Sequence, residues 1–182
     1  LNTGQLLFGA HGFIAVGAYT STLLVTDLGF SFWLALPLAG LITAILAVVI
    51  GYPALRVKGV YFAIITWGFA QSILFLFIRA KDIFGGNAGI SHIPPPNPIS
   101  IPFLGELLFD RSTTEGIRPY YFLMLIIMII ALYVLYRLEK SRYGLIYSAI
   151  HEADILAKAV GINIMRYKVL AFAIAMGLCG LG

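Results

Sequence analysis

The apolar positions of this sequence fall in long runs that short charged segments separate. Asp, Glu, Lys and Arg are absent from residues 1–26, 28–55, 59–78, 83–105, 119–136 and 169–182. A bilayer core of roughly 30 Å needs about 20 apolar helical residues at a rise of 1.5 Å each. Most of these runs reach that length. The pattern therefore predicts an all-α, polytopic helical membrane protein.

About five transmembrane spans are expected, all in a single transmembrane domain over residues 1–182. They are predicted at 5–26, 32–52, 60–78, 119–136 and 169–182, the last of them truncated. The sequence starts without Met and stops inside an apolar run, so we expect an internal piece of a longer protein. Prolines and glycines crowd residues 79–118, which predicts a structured extramembrane loop rather than a continuous helix.

Small residues recur along the second predicted span at steps of mostly three or four. They are Ala35, Ala39, Gly40, Ala44, Ala47 and Gly51. The first span carries Gly4, Gly9, Gly12 and Gly17. Such stripes let the backbones of membrane helices approach closely. Both spans are therefore predicted to pack tightly against neighbouring helices.

The cations predict the orientation in the membrane. Residues 53–58 hold two of them and residues 137–168 hold six. Loops rich in Lys and Arg face the cytoplasm. Two predicted spans lie between these segments. Because each span crosses the membrane once, both segments lie on the same side of it. The loop 79–118, with four cations and four acids, is then extracytoplasmic.

Composition narrows the classes of function. Hydrophobic residues make up 60% of the chain, charged residues 11%, and the mean hydropathy is +0.96. The net charge of +4 comes from cations that flank apolar runs, which argues for a lipid bilayer and against nucleic acid. One cysteine allows no intramolecular disulfide. The usual nucleotide-binding, zinc and hydrolase motifs are missing from the sequence. We predict no catalytic residue and no metal site.

Polar residues inside the first span are the candidates for a translocation pathway. They are Gln5, His11 and Thr20. An ionisable side chain within a membrane span marks a pathway unless a neighbouring group satisfies it. For His11 both interpretations stay open: a pathway residue, or a neutral imidazole bonded to a nearby carbonyl.

The segment between the last two spans contains an apolar stripe at helical spacing. Ile146, Ala149, Ile150, Ala153, Ala157 and Val160 form it. Such a helix either lies in the lipid interface or docks on a cytoplasmic partner. Interfacial helices normally carry more cations and larger apolar residues, so docking is the favoured interpretation.

Four stretches in this order resemble the branched-chain amino acid permease subunits of bacterial ABC importers. They are GQLLFGAHGFIAVGAYTSTLL from Gly4, PALRVKGVYFAIITWGFA from Pro53, the loop GGNAGISHIPPP, and SRYGLIYSAIHEADILAKAVGINIMRYKVLAF from Ser141. The last resembles the family's cytoplasmic loop for the ATPase. It departs from the E-A-A-x-x-x-G pattern of other ABC importers, since Ile155 stands at the position of a Glu.

The resemblance implies a transport subunit of the bacterial inner membrane without its own ATPase site or cofactor. ATP would bind to cytoplasmic ATP-binding subunits, and the other implied partners are a second homologous permease subunit and an extracytoplasmic substrate-binding protein. The contact with the ATPase would fall on a few positions of the cytoplasmic loop, here called the coupling residues. They are Glu152, Ala153, Asp154, Ala157 and Gly161.

Other functions remain open from the sequence alone. Permeases of the same type for urea or short amides look alike in their glycine-rich spans. An ATP-independent channel or carrier would need no docking helix. A purely structural anchor would have uniformly Leu-rich spans, and only the fourth span fits that description.

Overall fold

The computed structural model describes residues 8–57, 59–91, 93–96, 99–101, 105–107, 114–141, 144 and 164–181. Five long helices dominate this part of the chain, which confirms the predicted fold class. They are α1 (Ala10–Thr26), α2 (Phe32–Ala54), α3 (Val60–Arg79), α5 (Thr114–Glu139) and α6 (Ile164–Cys179); a short helix, α4 (Lys81–Phe84), follows α3. Among the described residues, three helices are long and apolar enough to cross a membrane: Phe32–Ala54, Val60–Arg79 and Arg118–Glu139.

The segment between α3 and α5 contains short, ordered elements. After α4, a 3-10 turn covers Gly86–Ala88. Strands β1 (Ile99–Ile101) and β2 (Gly105–Leu107) then pair antiparallel, with Ser100 opposite Glu106. Gly85 takes φ +73°, a left-handed conformation that ends α4 and that side chains with a Cβ rarely adopt.

Helices α1, α2, α3 and α6 pack together, and we call them the bundle. The most extensive contact joins α2 and α6, which run antiparallel: Gly51 lies beside Phe172, and Gly40 lies beside Gly177 and Leu181. The buried side of α2 includes Ala35, Ala39, Gly40, Ala47 and Gly51. This confirms the predicted small-residue stripe.

Glycines set the spacing of the other helix pairs. A β-carbon added to Gly12 of α1 would lie 2.7 Å from the Cα and Cβ of Ala70 in α3. One added to Gly17 would lie 2.5 Å from the Cα of Gly180 near the end of α6. Lipid tails are as apolar as the helices, so membrane helices gain their contact energy mainly from such close packing.

Aromatic rings fill the centre of the bundle. Phe172 of α6 meets Phe13 of α1 edge-on, with ring centroids 5.6 Å apart, and Phe62 of α3 at 6.0 Å. These edge-to-face arrangements match the quadrupoles of the rings. Phe172 therefore connects α6 to two other helices at once.

Four helices differ from the predicted spans in their boundaries. Helix α1 begins at Ala10 rather than at residue 5, since Phe8 and Gly9 are not helical. Helix α2 continues through Pro53 to Ala54, because a proline removes only its own N–H and the amide of Leu55 still bonds the carbonyl of Gly51 at 2.8 Å. Helices α5 and α6 begin at Thr114 and Ile164, before their apolar runs. The charged residues that flank an apolar run can belong to the same helix, since helical hydrogen bonds also form in the headgroup region of the membrane.

Helix α5 makes no extensive contact with the other described helices. Only 6% of its apolar window is buried within the chain, compared with 33% for α2 and for α3. Its sides are therefore left for lipid or for protein surfaces outside the described residues.

The bundle predicts opposite effects for two glycine substitutions. Gly12→Ala places a methyl group against the backbone of Ala70 and should destabilise the protein by about 1–3 kcal/mol, as overpacking does. Gly68→Ala adds its methyl group in open space on α3 and should be neutral or stabilising by up to about 1 kcal/mol, through helix propensity. Thermal unfolding of the full-length protein in detergent measures both, and equal melting temperatures would contradict the packing.

Candidate functional site: the N-terminal end of α1

Helix α1 begins deep between its neighbours. Gly9, which precedes the helix, lies against the carbonyl of Thr66, and Gly12 lies against Ala70. These two α3 residues are six and ten positions beyond Val60, or about 9 and 15 Å along the helix. The first turn of α1 is therefore near the middle of a core roughly 30 Å thick.

The N-terminal end of α1 has no side-chain cap, and Gly9 itself is buried. Gly9 has φ −90° and ψ 11°, outside helical values. The free N–H groups at a helix N-terminus carry a partial positive charge. Interrupted membrane helices use such ends to bind anionic groups of their substrates.

His11 projects from the first turn of α1 on the side away from the bundle. His11, Ile14 and Ala18 are exposed and form what we call the outer face of α1, whereas Phe13 is fully buried. A histidine that faces lipid at mid-membrane is costly, so a polar path or another protein surface should lie against this face. The role of His11 stays a prediction: a pathway residue, or a neutral imidazole bonded to a nearby carbonyl.

Thr20, the other pathway candidate within the described residues, does not lie on the same face as His11. Thr20 is half-buried and lies nine residues further on, which is half a turn away from His11 around the helix. Gln5 lies outside the described residues. The structure thus brings no second predicted pathway residue to the outer face of α1.

Two buried hydroxyl groups are satisfied locally. Thr43 donates a hydrogen bond to the carbonyl of Ala39 at 2.8 Å, and Thr66 donates to that of Ala63 at 3.0 Å. Thr43 interrupts the small-residue stripe of α2 in the sequence, yet its Cβ would be 2.7 Å from a β-carbon on Gly180. Its position within the small-residue stripe is the sequence signal that identifies Thr43 as a contact residue, since threonine also occurs at close helix contacts.

Aromatic and cationic side chains mark the C-terminal ends of α2 and α5. The Arg56 guanidinium lies 4.8 Å from the ring centre of Tyr52, and the Lys140 ammonium lies 4.8 Å from that of Tyr136. Arg137 donates a hydrogen bond to the hydroxyl of Tyr133 at 3.1 Å. Rings with cations at this spacing are typical of the membrane interface.

The predicted coupling residues lie outside the described part of the chain. Glu152, Ala153, Asp154, Ala157 and Gly161 all fall between Glu139, the end of α5, and Ile164, the start of α6. Their role stays a prediction. Within the described residues, no group of three or more His, Cys, Asp or Glu side chains is placed to hold a metal ion.

The helices and their apolar surfaces define a multi-pass, helical membrane protein. The chain belongs to the family described as the permease component of the branched-chain amino acid transport system, whose sequence model matches residues 2–182.

Two curated relatives cover 98% of the chain, and both are described as the high-affinity branched-chain amino acid transport system permease protein LivM. The relative from Salmonella typhimurium is 35% identical and that from Escherichia coli is 33% identical. The chain spans 45% of the length of each. No solved structure matches the chain significantly.

The exposure of His11 can be tested by thiol labelling. If His11 is a pathway residue, His11→Cys in a Cys179→Ser background should react with a charged, water-soluble thiosulfonate, because the outer face of α1 would then meet water or a polar surface. Ile64→Cys, on an exposed and apolar part of α3, is the matched control and should react at least about tenfold more slowly, since a thiol in lipid rarely ionises. Equal rates at both positions would contradict the assignment of a polar path to this face.

Proposed function

We propose that the protein is the membrane-spanning permease subunit of an ATP-driven importer of branched-chain amino acids in the bacterial inner membrane. The observation that carries this proposal is the family match over residues 2–182, together with two relatives whose names state that function. The subunit has no ATPase site of its own. Its partners are cytoplasmic ATP-binding subunits, a second homologous permease and an extracytoplasmic binding protein.

The proposed pathway runs along the outer face of α1. A free amino acid must shed water from a carboxylate and an ammonium group to cross the membrane, and buried charges need replacement partners. The amides at the start of α1 could receive the carboxylate, and the exposed His11 lies in the same turn. Gln5 and Thr20 remain candidates for other parts of the route.

The helix contacts offer a route for coupling to ATP. The coupling residues precede α6 directly in sequence, since Gly161 is three residues before Ile164. Helix α6 contacts α2 over its length, and Phe172 contacts Phe13 of α1 and Phe62 of α3. Movement of the coupling segment by an ATPase would therefore displace α6 and, through Phe172, the helix that carries His11. Such transmission requires that the segment prefer one state of the ATPase.

Transport assays with the full-length protein and its ATP-binding subunits in liposomes test this proposal. ATP should drive leucine uptake, and the pair Glu152→Lys with Asp154→Lys should lower it at least about tenfold by reversing charge at the docking surface. Glu139→Lys, a single charge reversal of the same kind at the end of α5, is the control and should retain uptake. Size-exclusion profiles verify that the variants are folded.

Three outcomes would contradict the proposal. Leucine uptake without ATP would identify a channel or carrier. Uptake that ignores the double charge reversal would remove the coupling role of Glu152 and Asp154. Transport of urea or a short amide with no transport of leucine would assign the permease to another solute.

A further inference from the structure

A groove of 810 Å³ opens at the surface of the bundle between α2 and α6. Pro37 and Leu181 line one end, and Tyr52 and Arg166 line the other. From Tyr52 to Pro37 the groove follows α2 for about 22 Å, which exceeds the roughly 15 Å depth of one leaflet of the core. Its volume is within the range of about 300–1,000 Å³ typical of ligand sites.

The two ends of the groove differ in charge. Arg166 lines the end near Tyr52, and the guanidinium of Arg56 lies 4.8 Å from the centre of the Tyr52 ring. Among the described residues, none that lines the groove is acidic, and its other walls are mostly apolar. The cationic end belongs to the side that the distribution of Lys and Arg places in the cytoplasm. Basic pockets between membrane helices on that side bind the headgroups of anionic lipids.

The rim of the groove suits a flexible chain better than another helix. The small residues at its floor already pack α2 against α6, because Gly40 contacts Leu181 and Gly177 contacts Ala44. Larger side chains remain exposed at the rim: Leu41 at 58%, Val48 at 42% and Leu170 at 43%. A third helix needs small residues for close approach, whereas an acyl chain adapts to such side chains.

We propose that this groove is a binding site for an anionic phospholipid, with the phosphate at Arg166 and Arg56 and an acyl chain along the apolar walls between α2 and α6. The proposal does not depend on the substrate or on the ATPase. It predicts that the protein selects phosphatidylglycerol over phosphatidylcholine at this one surface.

Photo-crosslinking in the full-length protein tests the site. Benzoylphenylalanine replaces Leu170 at the rim, and the protein is placed in nanodiscs of phosphatidylglycerol or of phosphatidylcholine before mass spectrometry. An adduct of phosphatidylglycerol mass is expected at least about fivefold above the phosphatidylcholine adduct. Arg166→Gln or Arg56→Gln should remove this preference, whereas Arg137→Gln, at the end of α5, should not.

Benzoylphenylalanine at Leu132 of α5 is the matched position outside the groove, with 57% exposure, and should form adducts with both lipids equally. A peptide adduct at position 170 would show that another helix covers the groove and would overturn the proposal. Equal adducts of the two lipids there would overturn it as well. Inorganic phosphate and sodium chloride of the same ionic strength are added in parallel. If phosphate alone removes the phosphatidylglycerol adduct, the cationic end binds a free anion and the proposal is overturned.

Discussion

Close contact between helix backbones is the constraint on which this structure depends. Inside a bilayer, an apolar side chain gains little by leaving lipid for protein, so association rests on packing and on local polar bonds. The glycines on facing sides of α1, α2 and α6 meet this requirement. A β-carbon on Gly177 would lie 3.0 Å from that of Ala44, and one on Gly180 would lie 2.7 Å from that of Thr43. A larger residue at Gly180 would separate α6 from the bundle, whereas a β-carbon at Gly177 requires a shift of only a few tenths of an ångström.

The same contacts determine which surfaces stay open. Because α2, α3 and α6 pack against α1, the side with His11 is left outside the bundle. Helix α5 is exposed along most of its length. The proposed importer with two permease subunits would use both features: a tightly packed core, and outer faces that can meet a partner or a pathway. The outer face of α1 carries His11 beside Ile14 and Ala18, whereas the exposed surface of α5 is predominantly apolar.

Much of the fold could be predicted from local patterns. Charge-free runs indicated the helices, and three-to-four-residue spacing indicated the buried side of α2, from Ala35 to Gly51. The start of α1 at Ala10 could not be predicted, because hydropathy does not distinguish the non-helical Phe8 and Gly9 from the helix that follows. The pairing of α2 with α6 could not be predicted either, since periodicity shows that one face of a helix is buried but does not identify the helix that covers it. The sequence identified His11 as a candidate but could not show on which side of the bundle its side chain lies, because that depends on how α1 packs against α3.

The proposed pathway and lipid site both depend on the antiparallel pairing of α2 and α6, which disulfide crosslinking between the two helices tests most directly. In a Cys179→Ser background, Ala44→Cys with Gly177→Cys brings two β-carbons close to the roughly 3.5–4.5 Å separation that a disulfide requires. Ala44→Cys with Leu170→Cys, two helical turns away along α6, is the control. Mild oxidation of the full-length protein in membranes should form the first bond rapidly and the second slowly or not at all. Failure of the first pair, or equal rates for both, would contradict the packing on which the proposed pathway and lipid site depend.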